Sequence, residues 1–189
     1  MTEKIWFTSD QHYYHDNIIK YCGRPFSEAS EMNRVMVERH NSVVGPKDKV
    51  YHIGDFAFRI EEKAIRALAR SLNGRHTIIL GNHDHDKSLP KVLFDWNVHY
   101  RIFETKIDDV QVTMCHYPMM SWQASFHGSF QLHGHTHGTI PFDPTVRRLD
   151  VGVDCWNFTP VSWEVVKEKL LAVPTPKEQK GDERNDSSY

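Results

Sequence analysis

Residues 75–86 read RHTIILGNHDHD, an apolar run that turns without transition into glycine, amide, imidazole and carboxylate. The RHTIIL half is β-branched and aliphatic and reads as a strand. The GNHDHD half has no apolar residue, so the strand must end in a polar loop at Gly81. Working backwards, Ile60, Ala64, Ile65, Leu68 and Leu72 recur at helical spacing, and Asn73-Gly74 closes that helix. Before it stand the strand VYHIGD (50–55) and the turn GPKDK (45–49). A further helix starts from Ser27 as N-cap and carries Met32, Val35, Met36, Arg39 and Val43. The first strand, KIWFTS (4–9), stops at Asp10. Strand and helix alternate throughout this half, the pattern of a sheet covered by helices.

Working forwards, the character changes. HYRIFET (99–105) and VQVTMCH (110–116), separated by KIDD, predict a hairpin. SFQLHG (129–134) and RLDVGVD (148–154) are further strands, and Ser162 caps a last helix through Leu171. One domain over 1–173 is expected. The polar remainder 174–189 has no apolar periodicity and is predicted to be disordered.

Composition sets bounds. Of 189 residues, 39% are hydrophobic and 12% aromatic, as in a globular protein with a proper core. No run approaches the roughly 18 apolar residues of a membrane helix. The N-terminus lacks the basic-then-apolar pattern of a secretory signal. Cys22, Cys115 and Cys155 are odd in number and far apart, which predicts reduced thiols and a cytoplasmic setting. The net charge of −2 supplies no general attraction for a long polyanion.

Histidine is abundant, at 13, and nine of them (His12, His15, His52, His83, His85, His116, His133, His135 and His137) lie in or beside short Gly/Asp/Asn segments. Successive strands end in metal-ligand residue types: Asp10-Gln11-His12, Gly54-Asp55, Gly81-Asn82-His83-Asp84, His116, then Gly134-His135-Thr136-His137. Any one of these is an ordinary polar turn taken alone. In sheets of this kind, however, the loops beyond the strands' carboxyl ends are where sites assemble, so separated segments can converge. Carboxylate, imidazole and amide without thiolate suits manganese, iron, zinc, nickel or cobalt rather than a structural cysteine-zinc site.

The order DQH…GD…GNHD…H…GHTH, spanning residues 10–137, resembles the calcineurin-like metallophosphoesterase superfamily. The HxHxDH of metallo-β-lactamase-type hydrolases fits worse, because Gly138 follows His137. The first-strand HxH of amidohydrolases is replaced by Asp10-x-His12. The resemblance implies an α/β fold, a four-layer α-β-β-α sandwich of two mixed sheets flanked by helices, with the metal site at the strand C-terminal ends. It implies two divalent ions, manganese first among the candidates. Asp10, His12 and His137 would hold one, Asn82, His116 and His135 the other, and Asp55 would bridge both. The implied activity is phosphate-ester hydrolysis by direct attack of a metal-bridging hydroxide, with His83 assisting the leaving group.

Two departures qualify this. Where the phosphoprotein-phosphatase branch continues GDxVDRG, this chain reads GDFAFR, so Phe58 replaces the aspartate that orients the catalytic histidine. That argues against a protein phosphatase, although Arg59 keeps the spacing of a phosphate-binding arginine. The first motif, SDQHYYHDNIIKYCGRPF, resembles short bacterial and phage-type phosphoesterases opening DxHxxHxNI and adds His15, Asn17 and Arg24. His15 and Arg24 are candidate phosphate contacts, against loop capping and surface pairing. His85 and His133 read as groups that orient ligands, His52 as core, and His40, His76, His99 and His127 as surface or loop residues. Tyr13, Tyr14, Phe56, Phe58, Tyr117 and Trp122 border the motifs and read as packing before base-stacking. No cap domain or long insertion is visible, so the expected partner is a small phosphorylated substrate, a nucleotide among the options, with no membrane. A nuclease is the alternative, with Lys20, Arg24, Arg34 and Arg39 as its candidate groove. A non-catalytic scaffold fits poorly with an intact ligand set.

Overall fold

A computed structural model describes residues 2–58, 61–84, 89, 93 and 95–175. Arg59 and His85, both singled out above, lie outside the described residues, as does the chain beyond 175. The first sheet takes its strands from the first half: β1 (Ile5–Thr8), β2 (Lys49–His52), β3 (Arg75–Ile79) and β4 (Asn97–His99) run parallel in the order β4-β3-β2-β1. The second sheet has the order β5-β6-β7-β8, from β5 (Ile102–Ile107), β6 (Val110–Cys115), β7 (Phe130–His133) and β8 (Arg148–Asp150). β5 and β6 are antiparallel, whereas β6, β7 and β8 are parallel. The short β9 (Val161–Ser162) returns antiparallel to β1. Both sheets are thus mixed or edged by a reversed strand. Helices α1 (Asp16–Tyr21), α2 (Ala29–Val43), α3 (Glu62–Ser71) and α4 (Trp163–Leu171) flank them, which gives the expected α/β sandwich.

Alternation along the strands builds two cores. On β3, Ile78 joins Met32, Met36, Ile65 and Leu68 beneath the helices, while its neighbour Ile79 joins Phe7, Val112, Met114, Phe130 and Leu132 between the sheets. α3 is short and lacks a side-chain cap, so its place depends on Ile65, Leu68 and Ala69 turning inward at i, i+3 and i+4. Burying each Ile or Leu contributes about 1.5–3 kcal/mol. α4 brings Trp163, Val166 and Leu170 to the inter-sheet core, and Ser162 Oγ accepts the Val165 amide at 3.4 Å, as its position predicted.

The structure corrects three expectations. HYRIFET is not one strand. It breaks at Tyr100-Arg101, so that β4 completes the first sheet and β5 begins the second. The Asp108-Asp109 turn behaves as predicted, with φ of 47° and 64° closing the β5–β6 hairpin. His40 and His76, expected at the surface, are 3% and 8% exposed. They cluster with fully buried His52, whose Nε2 lies 3.0 Å from His76 Nδ1. Trp96 stacks on both His52 and His76. Gln11 Nε2 can only donate, so His52 Nδ1, 3.1 Å away, must accept, and His52 Nε2–H then donates to His76. Burial keeps all three rings neutral, holding His76 down to about 4. The third correction is α1, which its polar, aromatic composition concealed. No helix among the described residues is long and apolar enough to cross a membrane.

Candidate metal centre

The parallel strands β1, β2 and β3 end at one edge of their sheet, and β6 and β7 do the same in theirs. Every motif loop therefore leaves from the same end of the sandwich. The connections are direct: the His135 amide donates to both oxygens of Asp10, 3.0 Å each, joining the two sheets' loops. Asp10, His12, Asp55, His135 and His137 all have left-handed backbones, with φ between 49° and 69°. Such conformations cost a non-glycine residue of order 1–3 kcal/mol each and persist only where surroundings over-determine them. Backbone bonds Asp10 N to Gly54 O (3.0 Å) and His12 N to Asp55 O (2.9 Å) do that here. Gly81 and Gly134 are required by close approach, because a Cβ on either would strike the carboxylate of Asp55 or Asp10 respectively.

Two groups of ligand atoms result, each within 4.8 Å: Asp10, His12 and His137 in one, Asp55, His116 and His135 in the other. Asp55 Oδ2 lies between them, 3.5 Å from His12 Nε2 and 3.3 Å from His116 Nε2. Asn82 Oδ1 joins the second group at 3.0 Å from His116 Nε2. His116 Nδ1 faces the Ile53 carbonyl at 2.8 Å, so its Nε2 is the atom presented to Asp55 and Asn82. A third set, Cys22, His137 and Asp154, shares His137, but its Asp154 is already committed to Arg24.

The residues fit a cation. Both ring nitrogens of His12 are buried without a hydrogen-bond partner. Burial holds that imidazole down to about 3, and hence neutral, with the lone pair of one ring nitrogen to offer. Burial also lifts Asp10 to about 7, against the pull of His116 and His137, so its ionised form lacks sufficient positive charge nearby. Burial opposes the charged forms of Asp55 and His116 too. Their mutual hydrogen bond outweighs it, bringing Asp55 to about 2 and His116 to about 9.

Two supporting carboxylates carried no distinctive sequence signal. Asp84, fully buried, accepts the amides of Asp55 (2.6 Å), Gly81 (2.8 Å) and Phe56 (2.9 Å), and so shapes the turn that aims Asp55. It sits inside GNHD but reads there as an ordinary turn residue. Asp154 receives His137 Nδ1 at 2.7 Å and Arg24 through Nε and Nη2, both at 2.8 Å. Only its place after a strand hinted at this.

The remaining candidates separate. Arg24 is buried, and besides Asp154 it donates to the carbonyls of Asp10 and Gln11, which places it beneath the loop. His15 stacks on Phe58 at 3.9 Å and lies 5.5 Å from the His12 ring. The His83 ring is 5.2 Å from that of His12, and its amide donates to Asp55 Oδ1 at 2.9 Å. His133 is buried with Nδ1 on the Gly134 carbonyl at 2.9 Å, in neither ligand group.

No family model matches the chain. The uncharacterized protein MJ1445 of Methanocaldococcus jannaschii is 35% identical over 169 residues, covering 86% of this chain and 89% of that one. The crystal structure of AQ665 from Aquifex aeolicus, a protein of unknown function, superposes with a TM-score of 0.74 at 23% identity, covering 88% and 99% of the two chains. This places the fold beyond the sequence relatives. Looser superpositions, both with a TM-score of 0.47, are found to an archaeal phosphodiesterase (21% identity, 79% and 82% covered) and to the nuclease MPE of Pseudomonas putida (19%, 70% and 61%).

Proposed function

The chain belongs to the family of the archaeal protein MJ1445, and we propose that it is a metal-dependent phosphoesterase acting on a small substrate. The observation that carries this reading is the pair of ligand groups meeting at Asp55, with the partnerless His12 ring among them. Asp10, His12 and His137 would hold one divalent ion, and Asn82, His116 and His135 a second, with Asp55 between. Two such ions, when bound, supply Lewis acidity for a phosphoryl group and lower the pKa of a water. With ions to activate water, no enzyme nucleophile is required, and the ester is hydrolysed directly by water without a covalent enzyme intermediate.

The protein's own residues contribute position and protons. Asp84 and the Gly81 turn aim Asp55, and Asp154 turns His137 so that Nε2 points inward. Arg24 fixes the Asp10–His12 loop from below through two carbonyls, a positioning role. His83 is exposed, its backbone anchored to Asp55 and its ring beside His12, and in this reading it protonates the departing oxygen. His15, with a buried unpartnered Nδ1, faces the same corner and is a candidate contact for substrate oxygen.

Hydrolysis of p-nitrophenyl phosphate and bis-p-nitrophenyl phosphate, with Mn²⁺, Ni²⁺, Zn²⁺ and Mg²⁺ in turn, tests the reading. Turnover of at least one ester is expected, abolished by Asp55→Ala. His83→Ala should keep its metal and lose about 10²–10⁴ in kcat. Full activity in Asp55→Ala, or no turnover with any metal, would overturn the proposal.

A further inference from the structure

A cleft of about 290 Å³ opens directly beside His116, lined among others by Gly81, Tyr100, Arg101, Ile102 and Tyr117. It exists because the chain leaves β4 for β5 at Tyr100-Arg101, crossing from one sheet to the other at the end of the sandwich that carries the ligand loops. Three large side chains around it stand in solvent: Tyr100 is 67%, Ile102 49% and Tyr117 46% exposed. Apolar surface gathered at one concavity, rather than scattered, marks a binding site. The Tyr117 ring is wall to both cavity and centre, 4.6 Å from the His135 ring and 5.3 Å from that of His116. Arg101 is exposed and makes no ion pair among the described residues, unlike Arg24, which Asp154 neutralises.

Two tyrosine rings and an unneutralised guanidinium are suited to a flat aromatic group attached to an anion. The volume lies at the lower end of small-molecule sites, about 300 Å³, which admits one nucleoside and not a strand. Its position also assigns a side of the reaction. Asp55 Oδ2 lies 3.5 Å from His12 Nε2 and 3.3 Å from His116 Nε2; the His83 ring packs beside that of His12, and the Tyr117 ring beside that of His116. With His83 serving the leaving oxygen, the cleft faces the group that stays on phosphorus.

Building on the phosphoesterase reading, we propose that this cleft binds the nucleoside retained on the phosphoryl group, so that the preferred substrates are phosphodiesters bearing one nucleoside. Water adds to phosphorus, the bond from phosphorus to the other ester oxygen breaks, that oxygen takes up the proton, and a nucleoside monophosphate remains.

The test compares thymidine 5′-(p-nitrophenyl phosphate) with ethyl p-nitrophenyl phosphate, which share reaction and chromophore and differ in the retained group. The expected wild-type ratio of kcat/KM is about five- to 150-fold in favour of the thymidine ester, the range for stacking one base. In the double variant Tyr100→Ala, Arg101→Ala the ratio should fall towards one. Tyr117 is left intact because it packs on His135, and taking a ratio cancels losses common to both esters. Calorimetry should show the same discrimination in binding, with thymidine 5′-monophosphate favoured over ribose 5-phosphate in the wild type only. A wild-type ratio near one with both esters turned over, or a ratio that survives in the double variant, would overturn the cleft assignment alone. Turnover of neither diester would overturn the cleft assignment, and the phosphoesterase reading falls with it only if p-nitrophenyl phosphate is also left intact.

Discussion

Asp154→Asn removes one charge from the site's support while keeping its shape. The Arg24 side chain is fully buried and that of Asp154 is 9% exposed, so solvent cannot replace the lost partner. The carboxylate accepts three donors: Arg24 Nε and Nη2 at 2.8 Å and His137 Nδ1 at 2.7 Å. An amide offers one oxygen, and its NH₂ must face one of those donors. Breaking a buried pair on one side costs about 3–5 kcal/mol, most of it the uncompensated charge left behind. For a domain of this size, that lowers Tm by roughly 6–20 °C, at about 2–4 °C per kcal/mol. Urea titration and thermal melts in EDTA would read the loss without a contribution from bound metal. Because a neutral amide is a weaker acceptor for His137 Nδ1–H and holds that ring less firmly, Mn²⁺ affinity should fall about 10- to 100-fold. A destabilisation below about 1 kcal/mol would exclude a stranded charge, since it would mean the guanidinium finds water or another partner. Unchanged Mn²⁺ affinity would refute the orienting role.

Three further outcomes are expected. His76 is held down to about 4 by burial, and His40 and His52 are lowered as well. Between pH 6.5 and 4 the unfolded chain gains a proton on His76 that the folded chain refuses, so stability falls with pH by about 1.4 kcal/mol per unit. Since Asp10 and Asp84 titrate in the opposite sense over this range, the measurement is the difference in acid-side slope between wild type and His76→Gln in EDTA, and equal slopes would exclude the effect. Gly81→Ala places a methyl group on Asp55 Oδ1 and should abolish Mn²⁺ binding by calorimetry while the chain remains folded by circular dichroism; retained binding would show that the turn can yield. His133→Ala should reduce activity much less than His135→Ala or His137→Ala, because His133 sits in neither ligand group; equal losses would place it in the centre.

Strands β1, β2, β3, β6 and β7 were legible because each is a local run of apolar residues ended by a polar loop. The residues that form the two ligand groups were visible for a related reason: they lie in the polar loops just beyond five strand ends. HYRIFET was misread because its composition is uniformly strand-like, and the choice of sheet is made by partners, with β4 pairing β3 and β5 pairing β6. His40 and His76 looked like surface residues because polarity is a local property, whereas Trp96 and Gln11, which cover and orient their cluster, come from distant segments.

The amino-acid sequence by itself therefore determined which side chains the strand ends present, and in what order, since a strand's length and its terminating loop are encoded by adjacent residues. Only the tertiary structure decided how those side chains are held. It set the left-handed backbone at Asp10, His12, Asp55, His135 and His137, the Asp84 brace, and the pairing of Arg24 with Asp154 across 130 positions. It also set the cleft at Tyr100-Arg101, which exists only where two sheets lie side by side. Contacts that close such long loops are selected by the packing of the whole core, and no local pattern records them.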